Sequence, residues 1–199
     1  GIHLDYIRYK NESHGYNPEG LNQFKKDCIL SENYNFESSE AFFDKLINKK
    51  QMVQWDDFLL NSVTELVIKL KSYINNNIER KIILSAAVKP NINKANQNFH
   101  QEWDIWLEGG IVDWVLVMNY NPDLIAFANN ISIIEEAITE KKIENIIMGI
   151  ALYNQSPEDV IKKINYSYNA GFSGISLFSY NVLDENFHKM QMILSLVNE

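Results

Sequence analysis

Cysteine is almost missing from this 199-residue chain: Cys28 is the only one, which excludes an intrachain disulfide and a cysteine-based metal site. Basic residues are also few, with 18 Lys and Arg against 26 Asp and Glu and a formal net charge of −8. Nucleic acids and anionic membranes bind to basic surfaces, so we expect neither as a partner. No apolar run reaches the roughly 18 residues of a membrane span. No G-x-G-x-x-G motif follows a strand, which makes a dinucleotide-binding sheet less favoured.

The apolar content, in contrast, is high enough for a substantial core. Hydrophobic residues make up 46% of the sequence and aromatic residues 12%. A length of 199 residues suits one domain, so we treat 1–199 as a single unit. The ten tyrosines and four tryptophans could supply faces for sugar rings, although most aromatic side chains belong to cores.

Strand and helix patterns alternate along the chain. Short apolar runs that end in polar residues predict five strands, at 1–9, 82–88, 112–120, 146–153 and 174–180. Apolar residues at helical spacing, with capping signals, predict helices at 55–75, 99–107, 132–141, 156–170 and 184–197. Gly109 and Gly110 would stop the second of these helices. A long polar connection, 10–54, follows the first strand and carries a short amphipathic piece near 39–48.

This alternation predicts an α/β fold with a parallel sheet covered by helices. The later strands recur about every 30 residues, the size of a βαβ unit. Five strands are too few to close a (β/α)₈ TIM barrel, so we interpret the chain as strands four to eight of one. The connection 10–54 is then a long loop after strand four. The N-terminal half of the barrel would be supplied upstream in the same chain or by a separate segment, and it would cover edge strands that are otherwise open to pairing.

The first strand carries unusual chemistry. Its apolar residues Ile2 and Leu4 alternate with His3 and Asp5, which therefore share the other face. A carboxylate and an imidazole on a strand face are costly unless the strand end opens into a site. Arg8 is a candidate charge partner that would keep Asp5 ionised. The alternative is a buried Asp–Arg or Asp–His pair that holds a loop.

Polar side chains also gather where the other predicted strands end. These residues are Lys89, Asn119, Tyr120, Tyr153, Asn154, Ser179 and Tyr180. In a (β/α)₈ barrel the carboxyl ends of the strands form the site, so these positions predict where a ligand binds.

Three segments resemble motifs of the family-10-like glycosyl hydrolases, a bacterial group of (β/α)₈ barrels. The opening 1–9 is similar to their G-I-H-L-D-Y-I-R-Y signature, 100–120 to a Q-(D/E)-W-x-x-W-L segment that ends in M-x-Y, and 55–67 to a W-x-x-F helix. The resemblance implies hydrolysis of glycosidic bonds in a cell-envelope or extracellular polysaccharide. It also implies a secreted, periplasmic or envelope-associated protein, although no signal peptide is visible.

The chain departs from that pattern at several positions. Leu59 and Leu60 replace an arginine pair, and Val117 replaces a proline. The opening segment is also similar to family 18 chitinases, in which Asp5 would match the last aspartate of D-G-x-D-x-D-x-E. Ile7 then stands where those enzymes have their catalytic glutamate, so the chitinase mechanism does not carry over.

Glycoside hydrolysis usually requires one charged and one protonated carboxyl group. We expect Asp5 to be the charged member, as nucleophile or stabiliser of the oxocarbenium ion. Glu102 is the candidate acid because the flanking Trp103 and Trp106 would favour its neutral form. Alternatively, Glu102 is a charge at a helix N-terminus. Asp104 is the second candidate for the acid, and we expect Asp113 to cap or start a strand.

The candidates for sugar binding are His3, Arg8, Trp103, Asn119, Tyr120, Tyr153 and Tyr180. We also expect His3 to support Asp5. Arg8 would pair either with Asp5 or with an anionic substituent of the sugar. We expect no cofactor and no metal.

Two alternative functions stay open. One is a non-catalytic carbohydrate-binding barrel. The other is a metal-dependent hydrolase that uses His3, Asp5, His14 or His100, although metal sites usually need three or four ligands.

Overall fold

A computed structural model of the protein describes residues 1–11, 14–27, 49–185, 191 and 195. The strands are β1 (Ile2–Leu4), β2 (Leu84–Val88), β3 (Trp114–Met118), β4 (Ile146–Ala151) and β5 (Gly174–Phe178). The helices within the described residues are α1 (Pro18–Asp27), α2 (Lys49–Asn77), α3 (Ile92–Phe99), α4 (Trp103–Glu108), α5 (Leu124–Ala137), α6 (Glu140–Ile143), α7 (Pro157–Asn169) and α8 (Tyr180–Glu185). None of these helices is long and apolar enough to cross a membrane.

The five strands form one parallel sheet in chain order, β1-β2-β3-β4-β5. Each strand pairs with the next one along the chain, as in the pairs His3–Ser85 and Leu116–Ile147. The helices connect the strands, as parallel pairing requires. The predicted α/β architecture with a parallel five-stranded sheet is therefore confirmed.

The two faces of the sheet differ in burial because side chains alternate along each strand. One face packs against the helices and forms the main core, in which Val115 and Val117 of β3 lie in one cluster with Phe127 and Ile131 of α5. The other face is less buried: His3 is exposed, and Ser85 and Leu116 are half-buried. Polar strand residues on this second face therefore keep access to solvent.

Helix α1 lies inside the connection that was predicted to be a loop. Its Leu21 and Phe24 pack with Trp55 and Leu59 of α2 in a small second core. Tyr16 stacks on Trp55 with ring centroids 5.2 Å apart. The start of the connection is therefore anchored to α2. The amphipathic piece predicted near 39–48 lies outside the described residues.

The single helix predicted at 99–107 is wrong, because two helices meet there. Asn91 caps α3 by accepting the Lys94 N–H at 3.0 Å. His100 then adopts left-handed backbone angles of φ 51° and ψ 47°, which end α3. A new helix, α4, begins at Trp103.

The helix predicted at 132–141 corresponds to α5, which begins at Leu124 and ends at Ala137, earlier than predicted at both ends. The Asp123 carboxylate accepts the Ala126 N–H at 2.7 Å and so starts α5 at Leu124. Helix α7 agrees with the prediction, since Ser156 caps its start and Ala170 its end. The helix predicted at 184–197 lies largely outside the described residues.

Asp113 fastens the start of β3 to its neighbours, in agreement with its predicted place at a strand start. Its carboxylate accepts the Leu84 N–H and binds the Lys71 ammonium, both at 2.7 Å. Burial acts to raise the pKa of Asp113, but these two donors outweigh it and hold the pKa below its ordinary value. The amino ends of β2 and β3 are thereby joined to α2.

We expect Gly149→Ala to destabilise the sheet. A Cβ at Gly149 would lie 2.7 Å from the Val117 carbonyl oxygen and 3.2 Å from the Tyr120 ring. Overpacking of this kind costs about 1–3 kcal/mol. Gly174→Ala is the matched control, because a Cβ at Gly174 meets no atom within 4 Å. Urea unfolding of both variants measures the difference, and equal stability would contradict the close packing of Tyr120 over β4.

Candidate functional site

The carboxyl ends of the strands meet at one edge of the sheet, and Asp5 lies there after β1. Its side chain is exposed and accepts the backbone N–H of Tyr6 at 2.8 Å. Tyr6 has a φ of 54°, in the left-handed region that non-glycine residues rarely adopt. This turn directly after Asp5 leaves the Tyr6 ring 73% exposed.

Tyr120 has Asp5 on one strand end and Tyr153 on another as neighbours. Burial is the main cause that raises the pKa of Tyr120, and the charges of Tyr153 and Asp5 add to it. Such charge effects fall off with distance, so Tyr120 lies near each of the other two groups. The structure thus places Tyr120 between two residues that the sequence predicted at strand ends.

An aromatic surface flanks this group. The Tyr120 and Phe178 rings stack with centroids 5.1 Å apart and planes 12° apart. Phe178 is 49% exposed, Tyr153 55% and Tyr180 71%. Exposed aromatic faces of this kind suit the apolar faces of sugar rings. Phe178 was missed in the sequence because it reads as the last apolar residue of a strand.

His3 and Arg8 have partners other than those predicted. His3 Nδ1 lies 2.8 Å from the Ser85 hydroxyl of β2, on the face that also carries Asp5. The Arg8 guanidinium lies over the Tyr6 ring, 4.7 Å from its centroid. Among the ion pairs of the described residues, none joins Arg8 to Asp5. The expected Asp5–Arg8 pair is therefore not present.

Glu102 binds the helix layer. Its Oε2 accepts the Thr64 hydroxyl of α2 at 3.0 Å, and Thr64 Oγ1 accepts the Trp106 Nε1–H at 2.8 Å. Burial raises the pKa of Glu102, Thr64 lowers it, and Asp104 and Asp57 raise it further. The raised pKa agrees with the sequence argument. The position does not support the predicted role as acid, because the carboxylate is engaged with α2.

Asp104, the second candidate for the acid, also lies on α4. Burial is the main cause that raises its pKa, and the hydrogen bonds it accepts lower it. No contact among the described residues connects it with Asp5, Tyr120 or Tyr153.

Trp103 and Asn119, which were predicted to bind sugar, are core residues instead. Trp103 is 0% exposed and donates its Nε1–H to the Lys89 carbonyl at 2.9 Å. Asn119 is 1% exposed, donates to the Phe127 carbonyl and accepts from Asn130, both at 3.0 Å. A sugar ring cannot reach side chains that are this buried. Both predictions are corrected accordingly.

Gln101 fixes the part of the carboxyl edge that lies at the ends of β1 and β2. Its carboxamide is 0% exposed. It donates to the Ile7 and Ala87 carbonyls at 3.3 and 3.2 Å and accepts the Lys89 N–H at 2.9 Å. The segment after β1 is thereby bound to the end of β2.

Lys163 fixes the part of the carboxyl edge that lies at the ends of β3 and β4. It is 0% exposed, and its ammonium donates to the Asn121 and Pro122 carbonyls at 2.7 Å and to Gln155 Oε1. Burial lowers the pKa of Lys163, while Asp159 and Asp123 act to raise it. The loops after β3 and β4, which carry Tyr120 and Tyr153, are held together by this cation and by Asn154, which donates to the Tyr120 carbonyl at 3.4 Å. Sequence reasoning missed it because a lysine on a helix is usually a surface residue.

The histidines proposed as metal ligands have separate surroundings. His14 Nδ1 lies 2.6 Å from Asn11 Oδ1, whereas the buried His100 faces Asp56 at 3.5 Å. Burial is the main cause that lowers the pKa of His100. Within the described residues, no three His, Cys, Asp or Glu side chains are grouped so that they could hold a metal ion.

Comparison with solved structures identifies the fold. The PgaB (BpsB) glycoside hydrolase domain from Bordetella bronchiseptica superposes with a TM-score of 0.70 at 9% identity. The match covers 97% of this chain and 55% of that chain, so this chain spans about half of the domain. The five strands therefore correspond to part of a glycoside hydrolase barrel domain.

A class V chitinase mutant from Nicotiana tobaccum in complex with NAG4 is more distant. Its TM-score is 0.47 at 11% identity, over 75% of this chain and 65% of that chain, and it supports no inference. No curated protein matches the chain in sequence. The sequence does match the family described as "Glycosyl hydrolase-like 10" over residues 1–167. With most of its length matched, the chain belongs to the glycosyl hydrolase-like 10 family.

Proposed function

We propose that this chain supplies the substrate groove and one catalytic carboxylate, Asp5, of a glycoside hydrolase. The observation that carries the proposal is the position of Asp5, an exposed carboxylate near Tyr120 at the edge where barrel enzymes bind substrate. Family membership supports the same reaction class. In this role Asp5 stabilises positive charge at the anomeric carbon or attacks it.

The groove residues would position the sugar. The stacked Tyr120 and Phe178 rings provide an apolar face. Tyr153 and Tyr180 extend it and offer hydroxyl groups for hydrogen bonds with sugar hydroxyls. His3, bound to Ser85, lies below Asp5 on the same face and keeps β1 in register with β2. As substrate we propose a cell-envelope or extracellular polysaccharide, which would place the protein outside the cytoplasm.

A non-catalytic glycan-binding barrel is the second candidate. The observation that favours it is the hydrogen bond of Glu102 with Thr64 of α2, which ties the predicted acid to the helix layer. Both candidates use the same aromatic surface, so only the outcome of hydrolysis assays separates them.

Asp5→Asn should reduce glycan hydrolysis by about 10²–10³-fold or more, the usual contribution of one preorganised electrostatic group, because asparagine can neither attack the anomeric carbon nor stabilise positive charge there. The exposed side chain can be changed without loss of the fold, so circular dichroism should be unchanged. Glu140→Gln, which removes an exposed carboxylate from α6, is the matched control and should retain full activity. Release of reducing ends is the measurement. Hydrolysis at the wild-type rate in Asp5→Asn would remove Asp5 from the mechanism, and glycan binding without hydrolysis by the wild type would favour the binding barrel.

Glu102→Gln should retain hydrolysis within a few-fold, because glutamine can still accept the Thr64 hydroxyl. Thr64→Val should instead cost about 1–3 kcal/mol of stability, since it leaves the Trp106 N–H unpaired. Aryl glycosides with good and poor leaving groups provide the assay. A large loss in Glu102→Gln confined to the poor leaving group would show that Glu102 is the acid after all.

A further inference from the structure

A second concavity opens beside the candidate site, between the ends of β2 and β3. Its volume is about 360 Å³, within the roughly 300–1,000 Å³ of small-molecule sites. Lys89, Asn91, Lys94, Phe99, Asn121 and Asn129 are among the residues that line it. None of the lining residues is acidic, although the protein as a whole carries a net charge of −8.

Two cations share one aromatic ring at this pocket. The Lys89 ammonium lies 4.5 Å from the Phe99 centroid, and the Arg8 guanidinium lies 5.5 Å from the same centroid. Burial lowers the pKa of Lys89, and the charge of Arg8 lowers it further. In the part of the chain that the structure describes, Arg8, Lys89 and Lys94 form no ion pair with a carboxylate. Neighbouring positive charges without a counterion would be relieved by a bound anion.

Two of the asparagines that line the pocket, Asn91 and Asn121, have oxygens already engaged and amide N–H donors left over. Asn91 Oδ1 already accepts the Lys94 N–H, and Asn121 Oδ1 accepts the Asp123 N–H, both at 3.0 Å. Neither Nδ2 group makes a hydrogen bond to another described residue. With two ammonium groups alongside, the lining is rich in donors and poor in free acceptors, which favours an acceptor-rich ligand.

We propose that this pocket binds an anionic substituent, a carboxylate or a phosphate, on a sugar residue of the substrate. Asn121, which lines the pocket, directly follows Tyr120, and Lys89 directly follows β2, so the pocket adjoins the groove at the same edge of the sheet. The inference rests on the proposed function, because it assumes that the chain binds a glycan, and it adds that this glycan is acidic. Binding itself requires no hydrolysis and can be measured separately.

The experiment is calorimetric titration of the full chain with a β-1,4-linked glucuronic acid tetramer and with its methyl ester. The wild type should bind the acid at least tenfold more tightly than the ester. Lys89→Gln and Lys94→Gln should each weaken binding of the acid about tenfold and leave the ester unchanged. Lys141→Gln on α6 removes the same charge at an exposed position and should bind as the wild type does. Lys94 is exposed, so its variant keeps the test valid if Lys89→Gln fails to fold.

Equal affinity for acid and ester, or wild-type binding of the acid by both folded lysine variants, would overturn the proposal. Inorganic phosphate is the third probe. Competition with the tetramer would support an anion site that also accepts sugar phosphates, whereas a lack of competition would overturn the phosphate part of the proposal. If lysine-dependent binding occurs but no glycan is hydrolysed, the proposed function fails and the pocket stands. If Asp5→Asn abolishes hydrolysis while the lysine variants keep the wild-type KM for acidic glycans, the proposed function stands and the anion pocket fails.

Discussion

The in-register pairing of five parallel strands is the constraint on which the rest of the structure depends. Because every strand pairs with the next in the chain, all carboxyl ends lie at one edge. Because side chains alternate, one face carries the core and the other carries residues such as His3 and Ser85. A polar residue that follows a strand must then emerge at this edge. Asp5, Lys89 and Tyr120 gather there for that reason.

The edge is fixed by buried polar side chains more than by apolar packing. Gln101 binds the segment after β1 to β2, and Lys163 binds the loop after β3 to the loop after β4. Asn119 adds a third cross-link between β3 and α5. The side-chain nitrogens of Gln101, Lys163 and Asn119 all donate to backbone carbonyls, and a satisfied donor is the condition under which buried polar groups stabilise a fold. The site is therefore held by a scaffold of side chain to backbone hydrogen bonds.

Much of this arrangement could be predicted from the sequence. Apolar runs that end in polar residues located all five strands, and the geometry of parallel sheets then predicted that Asp5, Tyr120 and Tyr153 would emerge at the same edge. Helix α7 was predicted from its caps, since Ser156 and the adjacent proline are strong local signals.

The failures concern side-chain direction and tertiary contacts. Helix α3 contains four asparagine or glutamine residues among eight, so it reads as a loop, although Ile92, Ala95 and Phe99 lie at helical spacing. The burial of Trp103 and the bond from Glu102 to Thr64 depend on how the short helix α4 sits against α2. A pattern of residues along the chain contains no information about that angle. Lys163 reads as a solvated residue because its three acceptors are up to 42 positions away.

The ammonium of Lys163 has a consequence for motion. Since one cation holds the turns after β3 and β4, those turns shift as one body, and separating them would strand a charge in the interior. The opposite flank is fastened by neutral groups: Arg8 donates its backbone N–H to the Tyr6 carbonyl at 2.8 Å, and Gln101 donates to the Ile7 carbonyl between them at 3.3 Å. Breaking these bonds leaves no unpaired charge, so any widening of this edge is expected on the Tyr6 side.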